Sequence, residues 1–139
     1  GAAFDVESTP NLTSLTGVSF ASLTTLTIVG NSSLPSLDGL QSIQTVSFIN
    51  VSNNGALTTV AGLGPLSGSV LQVIIADNQN LTSLGSMGTL DGVDVVDIEQ
   101  NEALPSLSDL HLTGTVDSLR IANNAALTDI SRITWMLIR

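Results

Sequence analysis

The chain contains no cysteine, no lysine and no tyrosine, and its 139 residues include only three Phe and one Trp. Without cysteine, disulfide staples and thiolate metal sites are excluded. Without lysine, the only cations are Arg120, Arg132 and Arg139, set against twelve acidic side chains for a formal charge of −9. Such a surface repels phosphate backbones and anionic lipid heads, so nucleic acid is not an expected partner. Charged residues make up 11%, well below the ~25% of ordinary domains. The polar surface must therefore come from Ser, Thr, Asn, Gln and Gly. No apolar run approaches the roughly 18 residues of a membrane span, and no membrane insertion is expected. Nothing near Gly1 resembles a signal peptide. Either a targeting segment has been removed, or the chain is a piece of something longer.

What is present is a repeat. Asn31, Asn54, Asn78, Asn101 and Asn124 recur at steps of 23, 24, 23 and 23 by subtraction. Three residues after each stands Leu34, Leu57, Leu81, Leu104 or Leu127, and three further on Leu37, Val60, Leu84, Leu107 or Ile130. Another three bring Leu40, Leu63, Met87, Leu110 and Ile133. Before each asparagine the order is as regular: Ile28, Val51, Ile75, Ile98, Ile121 at minus three, and Leu26, Ile49, Val73, Val96, Leu119 at minus five. At minus eight lie Leu23, Val46, Val70, Val93 and Val116. The unit reads L-x-x-L-x-I-x-x-N-x-x-L-x-x-L-x-x-L, and five copies in register across these columns are not chance.

On those residues, from Leu23 to Asn31 and in four echoes, the sequence resembles the leucine-rich repeat family over nearly its whole length. In detail it resembles the cysteine-free, receptor-L-domain-like repeats of cell-surface proteins. The resemblance implies architecture and says little about activity.

The physics of each column agrees. Leu26 and Ile28 alternate with period two, which predicts a short strand with both side chains inward. The asparagine ends that strand, where stacked amides can satisfy buried backbone groups. Beyond it the leucines recur every third residue, a period that suits 3₁₀ turns or extended segments better than an α-helix. Pro35, Pro65 and Pro105 fall in the same stretch and oppose a continuous helix. One repeat cannot bury its own apolar side, so neighbours must stack. The expected fold is one repeat solenoid over residues 1–139, leucine-rich-repeat-like, with a parallel β-sheet on one face and 3₁₀ or extended segments on the other. It should have about six turns of ~23 residues.

Solenoids usually protect their terminal faces, yet no cap is evident here. Phe4 and Val6 occupy the columns of Leu26 and Ile28, and Thr9 stands where the asparagine belongs. At the other end Ile130, Ile133 and Met136 continue the leucine columns, through Trp135, Leu137 and Ile138, so that the next strand would begin near Arg139. Two open, complementary ends invite head-to-tail stacking, and a heterologous contact that does not close builds a filament. Phe4, Val6, Trp135, Met136, Leu137 and Ile138 are the candidate stacking residues. The alternative is a fragment cut from a longer repeat protein, or pairing with another domain.

Candidate chemistry is sparse. The outward sheet face reads Asp5, Thr27, Asn50, Ile74, Asp97, Arg120 along its centre. Phe48, Ile74 and Val95 could form an apolar diagonal there, with Asp97 and Arg120 as cross-strand neighbours. These five residues are the candidate partner site, against the simpler reading of β-propensity without a ligand. The acids Asp91, Asp94, Asp97, Glu99 and Glu102 lack the order of a calcium loop. His111 is the only histidine, so no histidine cluster can hold a metal, and no nucleophile elbow lies near it. Neither cofactor nor metal is expected, nor an enzyme. Four N-x-[ST] sequons occur, at Asn11, Asn31, Asn50 and Asn80. Asn31 belongs to the ladder and should point inward, leaving Asn11, Asn50 and Asn80 as the glycan candidates, although an Asn- and Thr-rich repeat makes sequons for structural reasons too. The leading expectation is an extracellular or cell-surface scaffold, a glycosylated subunit assembling with itself. The alternative is a domain of a surface receptor or adhesin that binds another protein or a glycan.

Overall fold

In the computed structural model, residues 1–133 are described in full and residues 137–138 as backbone. Ten short strands follow one another: β1 (Ala3–Glu7), β2 (Ser22–Val29), β3 (Thr45–Ser52), β4 (Gln72–Ala76) and β5 (Thr89–Asp91), then β6 (Val95–Glu99), β7 (His111–Thr113), β8 (Thr115–Val116), β9 (Ser118–Ala122) and β10 (Leu137–Ile138). Among the described residues there is no helix of any kind.

Six of these strands form one parallel sheet in the order β1-β2-β3-β4-β6-β9. The register is the one the columns dictate: Phe4 opposite Leu26, Leu26 opposite Ile49, Ile49 opposite Val73, Val73 opposite Val96 and Val96 opposite Leu119. Parallel neighbours need a long crossover, and here the crossover is the rest of the repeat. The molecule is a parallel-strand β-solenoid of about five turns. The expected sixth runs into residues 134–136, which lie outside those described.

The interior is continuous. Leu26, Ile28, Leu34, Leu37, Leu40, Val73, Ile75, Leu84, Val93, Val96, Ile98 and Leu107 are all buried, drawn from every apolar column of the repeat. Burying each such side chain stabilises the fold by about 1.5–3 kcal/mol. Because a residue's neighbours in the core lie about one repeat away, no coil has a core of its own.

The back of the solenoid carries turns and extended segments without a helix among the described residues. A three-residue period points to 3₁₀ turns or extended segments, and turn bonds of that kind exist, as in Leu57 N–H to Asn54 O (3.1 Å) and Leu63 N–H to Val60 O (3.0 Å). They occur singly, however, and never run on into a helix. Other backbone donors turn sideways to the adjacent coil instead: Thr58 N–H to Pro35 O (3.1 Å), Thr82 N–H to Thr58 O (3.0 Å) and Leu107 N–H to Asp129 O (3.0 Å). Short parallel pairings result between β5 and β7 and between β8 and β10, with isolated bridges at Thr59–Ser83 and Ser106–Asp129. A neighbouring coil at hydrogen-bonding distance competes for each donor that a 3₁₀ helix would keep.

Close stacking also explains Gly39. Its φ is +114°, and a Cβ there would lie 2.2 Å from the Leu15 carbonyl oxygen of the preceding coil. Only glycine permits both the backbone angle and the approach.

Candidate functional site

The most ordered polar feature is internal. Asn54 donates its backbone N–H (3.1 Å) and one Nδ2 hydrogen (3.2 Å) to Asn78 Oδ1, and its other Nδ2 hydrogen to Ile28 O of the preceding coil (2.9 Å). Asn31, Asn78 and Asn101 repeat the pattern with Asn54, Asn101 and Asn124 as acceptors and with Val6, Val51 and Ile75 as carbonyls. Each of these four fully buried amides thus gives three bonds and receives two, a complete use of its side-chain donors. The recurrent asparagines therefore stand one above another. Thr9 takes the first rung, with its N–H (3.1 Å) and Oγ1–H (2.5 Å) both donating to Asn31 Oδ1.

The residue before each rung is a second column, which sequence reading passed over. Ser8, Asn53, Asp77, Gln100 and Asn123 have φ between +53° and +56°, and Gly30 has +73°. This left-handed residue turns the chain out of the strand and aims the asparagine inward. Gly, Asn and Asp tolerate that region best, so their recurrence at this position was the available signal. Ser8 and Gln100 depart from it.

On the outward face of the sheet, Phe48 is 38% exposed, while Ile74 and Val95 are half-buried between their strand neighbours. Thr25, Thr27, Phe48, Asn50, Gln72 and Ile74 line a shallow, open depression of about 280 Å³. Val95 lies one strand beyond it. The expected apolar diagonal is thus mostly a single ring in a neutral polar setting. Asp97 and Arg120 face each other in register, with Nη1 to Oδ1 at 3.6 Å. The closer partner of Arg120 is Glu99, which hydrogen-bonds the guanidinium and, ahead of the charge of Asp97, holds its pKa above the ordinary value. Sequence reasoning missed Glu99 because it sits two residues along the strand, on the same face. Exposed pairs of this kind contribute at most about 1 kcal/mol.

The remaining candidates are scattered. His111 is exposed on β7, beside a shallow depression it shares with Thr89, Leu112, Thr113 and Arg132. Asp91 accepts from Thr113 Oγ1 (2.8 Å), and the side-chain and backbone hydrogen bonds of Ser131 hold Asp129 below the usual carboxylate pKa. Among the described residues no three His, Asp or Glu side chains gather where an ion could be held. Of the sequon asparagines, Asn11 is exposed and Asn80 is exposed with Nδ2 donating to Gly55 O (2.7 Å). Asn50 is half-buried on the sheet face and accepts from the Ser52 hydroxyl, whereas Asn31 is buried with its amide fully used in the ladder.

At the ends, Phe4 and Val6 on β1 are half-buried, and the Phe20 ring packs on Phe4 with centroids 5.3 Å apart. Leu119 and Ile121 on β9 are half-buried too. Trp135 and Met136 lie outside the described residues, and of Leu137 and Ile138 only the backbone of β10 is described.

Fold and site together define a class, the parallel β-solenoid with an internal asparagine ladder. Comparison takes this no further, because no family model, no curated protein and no solved structure matches the chain.

Proposed function

We propose that this chain is a non-enzymatic structural repeat protein of the cell exterior or cell surface, a glycosylated scaffold subunit whose copies stack head to tail into a fibre. Its repeat is read as a leucine-rich repeat of the cysteine-free, receptor-L-domain-like kind. The support is the L-x-x-L-x-I-x-x-N pattern and the asparagines that carry it from coil to coil.

One observation carries the stacking reading. Among the described residues β1 and β9 are edge strands, and their inward side chains are only half-buried where the same columns inside the solenoid are sealed. Exposed edges of this kind are templates for a further strand. Concentrated native material should form rods with an axial rise of about 29 Å per copy, six strands at ~4.8 Å each. Monodisperse single copies at high concentration, seen by electron microscopy and sedimentation, would overturn the reading. Glycans on Asn11, Asn80 and Asn50 would help to keep a rod with so few charged side chains soluble, and an unmodified native mass removes that part of the proposal.

A second reading, recognition of a surface protein or glycan by the sheet face, is favoured by the exposed Phe48 ring in its neutral depression. Replacing Phe48 and Ile74 by Asp separates the two. Lost partner binding with assembly intact supports recognition, whereas lost assembly after Phe4→Asp supports the fibre.

A further inference from the structure

Each interior rung of the asparagine ladder works in one direction. Asn54 donates forward to Asn78 Oδ1 from its backbone N–H and one Nδ2 hydrogen, and backward from the other Nδ2 hydrogen to Ile28 O (2.9 Å). Its own Oδ1 accepts from the backbone N–H (3.1 Å) and the Nδ2 (3.3 Å) of Asn31. The amide is therefore fully engaged and wholly shielded from water. What sets this rung apart is the next residue. Ser32, Gln79, Glu102 and Ala125 follow the other asparagines of the ladder, whereas Gly55 follows Asn54, in the one Asn-Gly pair of the sequence. The fold does not require that glycine. Its φ lies outside the left-handed region, and a Cβ there would meet nothing within 4 Å.

An asparagine followed by glycine is prone to modify itself, because its amide is labile and no Cβ screens the glycine nitrogen. The Gly55 nitrogen, on giving up its proton, attacks Asn54 Cγ. A bond forms between them, the Cγ–Nδ2 bond breaks, and ammonia departs with the proton to leave a cyclic imide. Water then opens the ring at either carbonyl, giving aspartate or its β-linked isomer with no change of oxidation state. Ring closure requires the Asn54 side chain to leave its rung, which breaks the bonds to Ile28, Asn31 and Asn78 together. The following backbone is held as well, with Asn54 O accepting from Leu57 N–H (3.1 Å) and Gly55 O from Asn80 Nδ2 (2.7 Å). Neither product fits the space. A carboxylate at position 54 has no hydrogen for Ile28 O, sets oxygen against Asn78 Oδ1 and buries a charge. The β-linked isomer also adds a backbone atom to the coil.

We propose that Asn54-Gly55 is a self-modification site that the ladder keeps shut: it reacts with water only when its coil opens, and once converted it cannot rejoin the stack. The test is peptide mapping by mass spectrometry of native protein and of protein held unfolded in urea, both aged at mildly alkaline pH. Acid and isoaspartate should collect at position 54 in the unfolded sample, and at least about a hundredfold more slowly in the native one, where the reaction waits on local opening. Gly55→Ala should lose most of the reaction in urea, a reading that does not depend on folding. When urea is removed, unreacted chains should regain the native melting transition and chains converted at position 54 should not. Equal rates in native and unfolded protein would overturn the guarding role of the ladder. Conversion in urea that spares position 54, or that Gly55→Ala leaves unchanged, would overturn the site. Converted chains that refold to the wild-type midpoint would overturn the one-way consequence.

Discussion

From β2 to β6 the inward columns are sealed, with Leu26, Ile28, Val73, Ile75, Val96 and Ile98 fully buried. At β9 the equivalent Leu119 and Ile121 are half-buried, and farther along the same coil Ile130 is 52% exposed. The amino-acid types barely change between the two regions; what changes is the number of neighbouring coils. In a stack, a side chain's contribution is set by what lies above and below it, so stability is a property of adjacency more than of residue identity. The ladder obeys the same rule. Among the described residues Asn78 has a rung on each side, and Asn124 has one.

The sharpest way to break this comparison is through the ladder itself. Asn78→Ala removes the acceptor of two buried Asn54 donors and the donor to Val51 O. Each of the three orphaned groups costs about 1–3 kcal/mol, so urea denaturation should register a loss of roughly 3–9 kcal/mol. Asn124→Ala, which orphans the corresponding groups in a half-open coil, should cost under half as much. Equal losses would show that adjacency does not govern the rungs. A smaller effect is expected from the core. Leu84→Ala should cost about 2–5 kcal/mol and Ile130→Ala below about 1 kcal/mol, measured as shifts in the same midpoint. The smallest changes should ignore position altogether, because left-handed strain is local. Ser8→Gly at the end and Gln100→Gly in the body should each stabilise by up to about 1 kcal/mol. A marked difference between them would mean that the turn before each rung is coupled to its neighbours.

Much of this was legible beforehand because an inward side chain leaves its mark on the sequence. Phe4, Leu26, Ile49, Val73, Val96 and Leu119 could be aligned by spacing alone, and they are successive partners in the sheet. The asparagines could be placed inside for the same reason: a polar residue at a fixed step among apolar ones must be matched by its own copies. Less could be read of the sheet face. There no column is constrained by burial, so the preference of Arg120 for Glu99 over Asp97 left no pattern to find.

Sequence periodicity by itself determined that this protein is a stack of coils near 23 residues long, which columns face inward, and where the ladder runs, since burial selects side-chain type at every repeat. Only the tertiary structure decided where the backbone donors go. Thr58 and Thr82 reach across to the adjacent coil, and Leu57 and Leu81 reach back three residues, a choice made by the distance to a neighbouring chain and invisible in any single repeat. The direction of the ladder is of the same kind. Asparagine has donors and an acceptor in one side chain, and which coil receives which is settled only when the coils are in place.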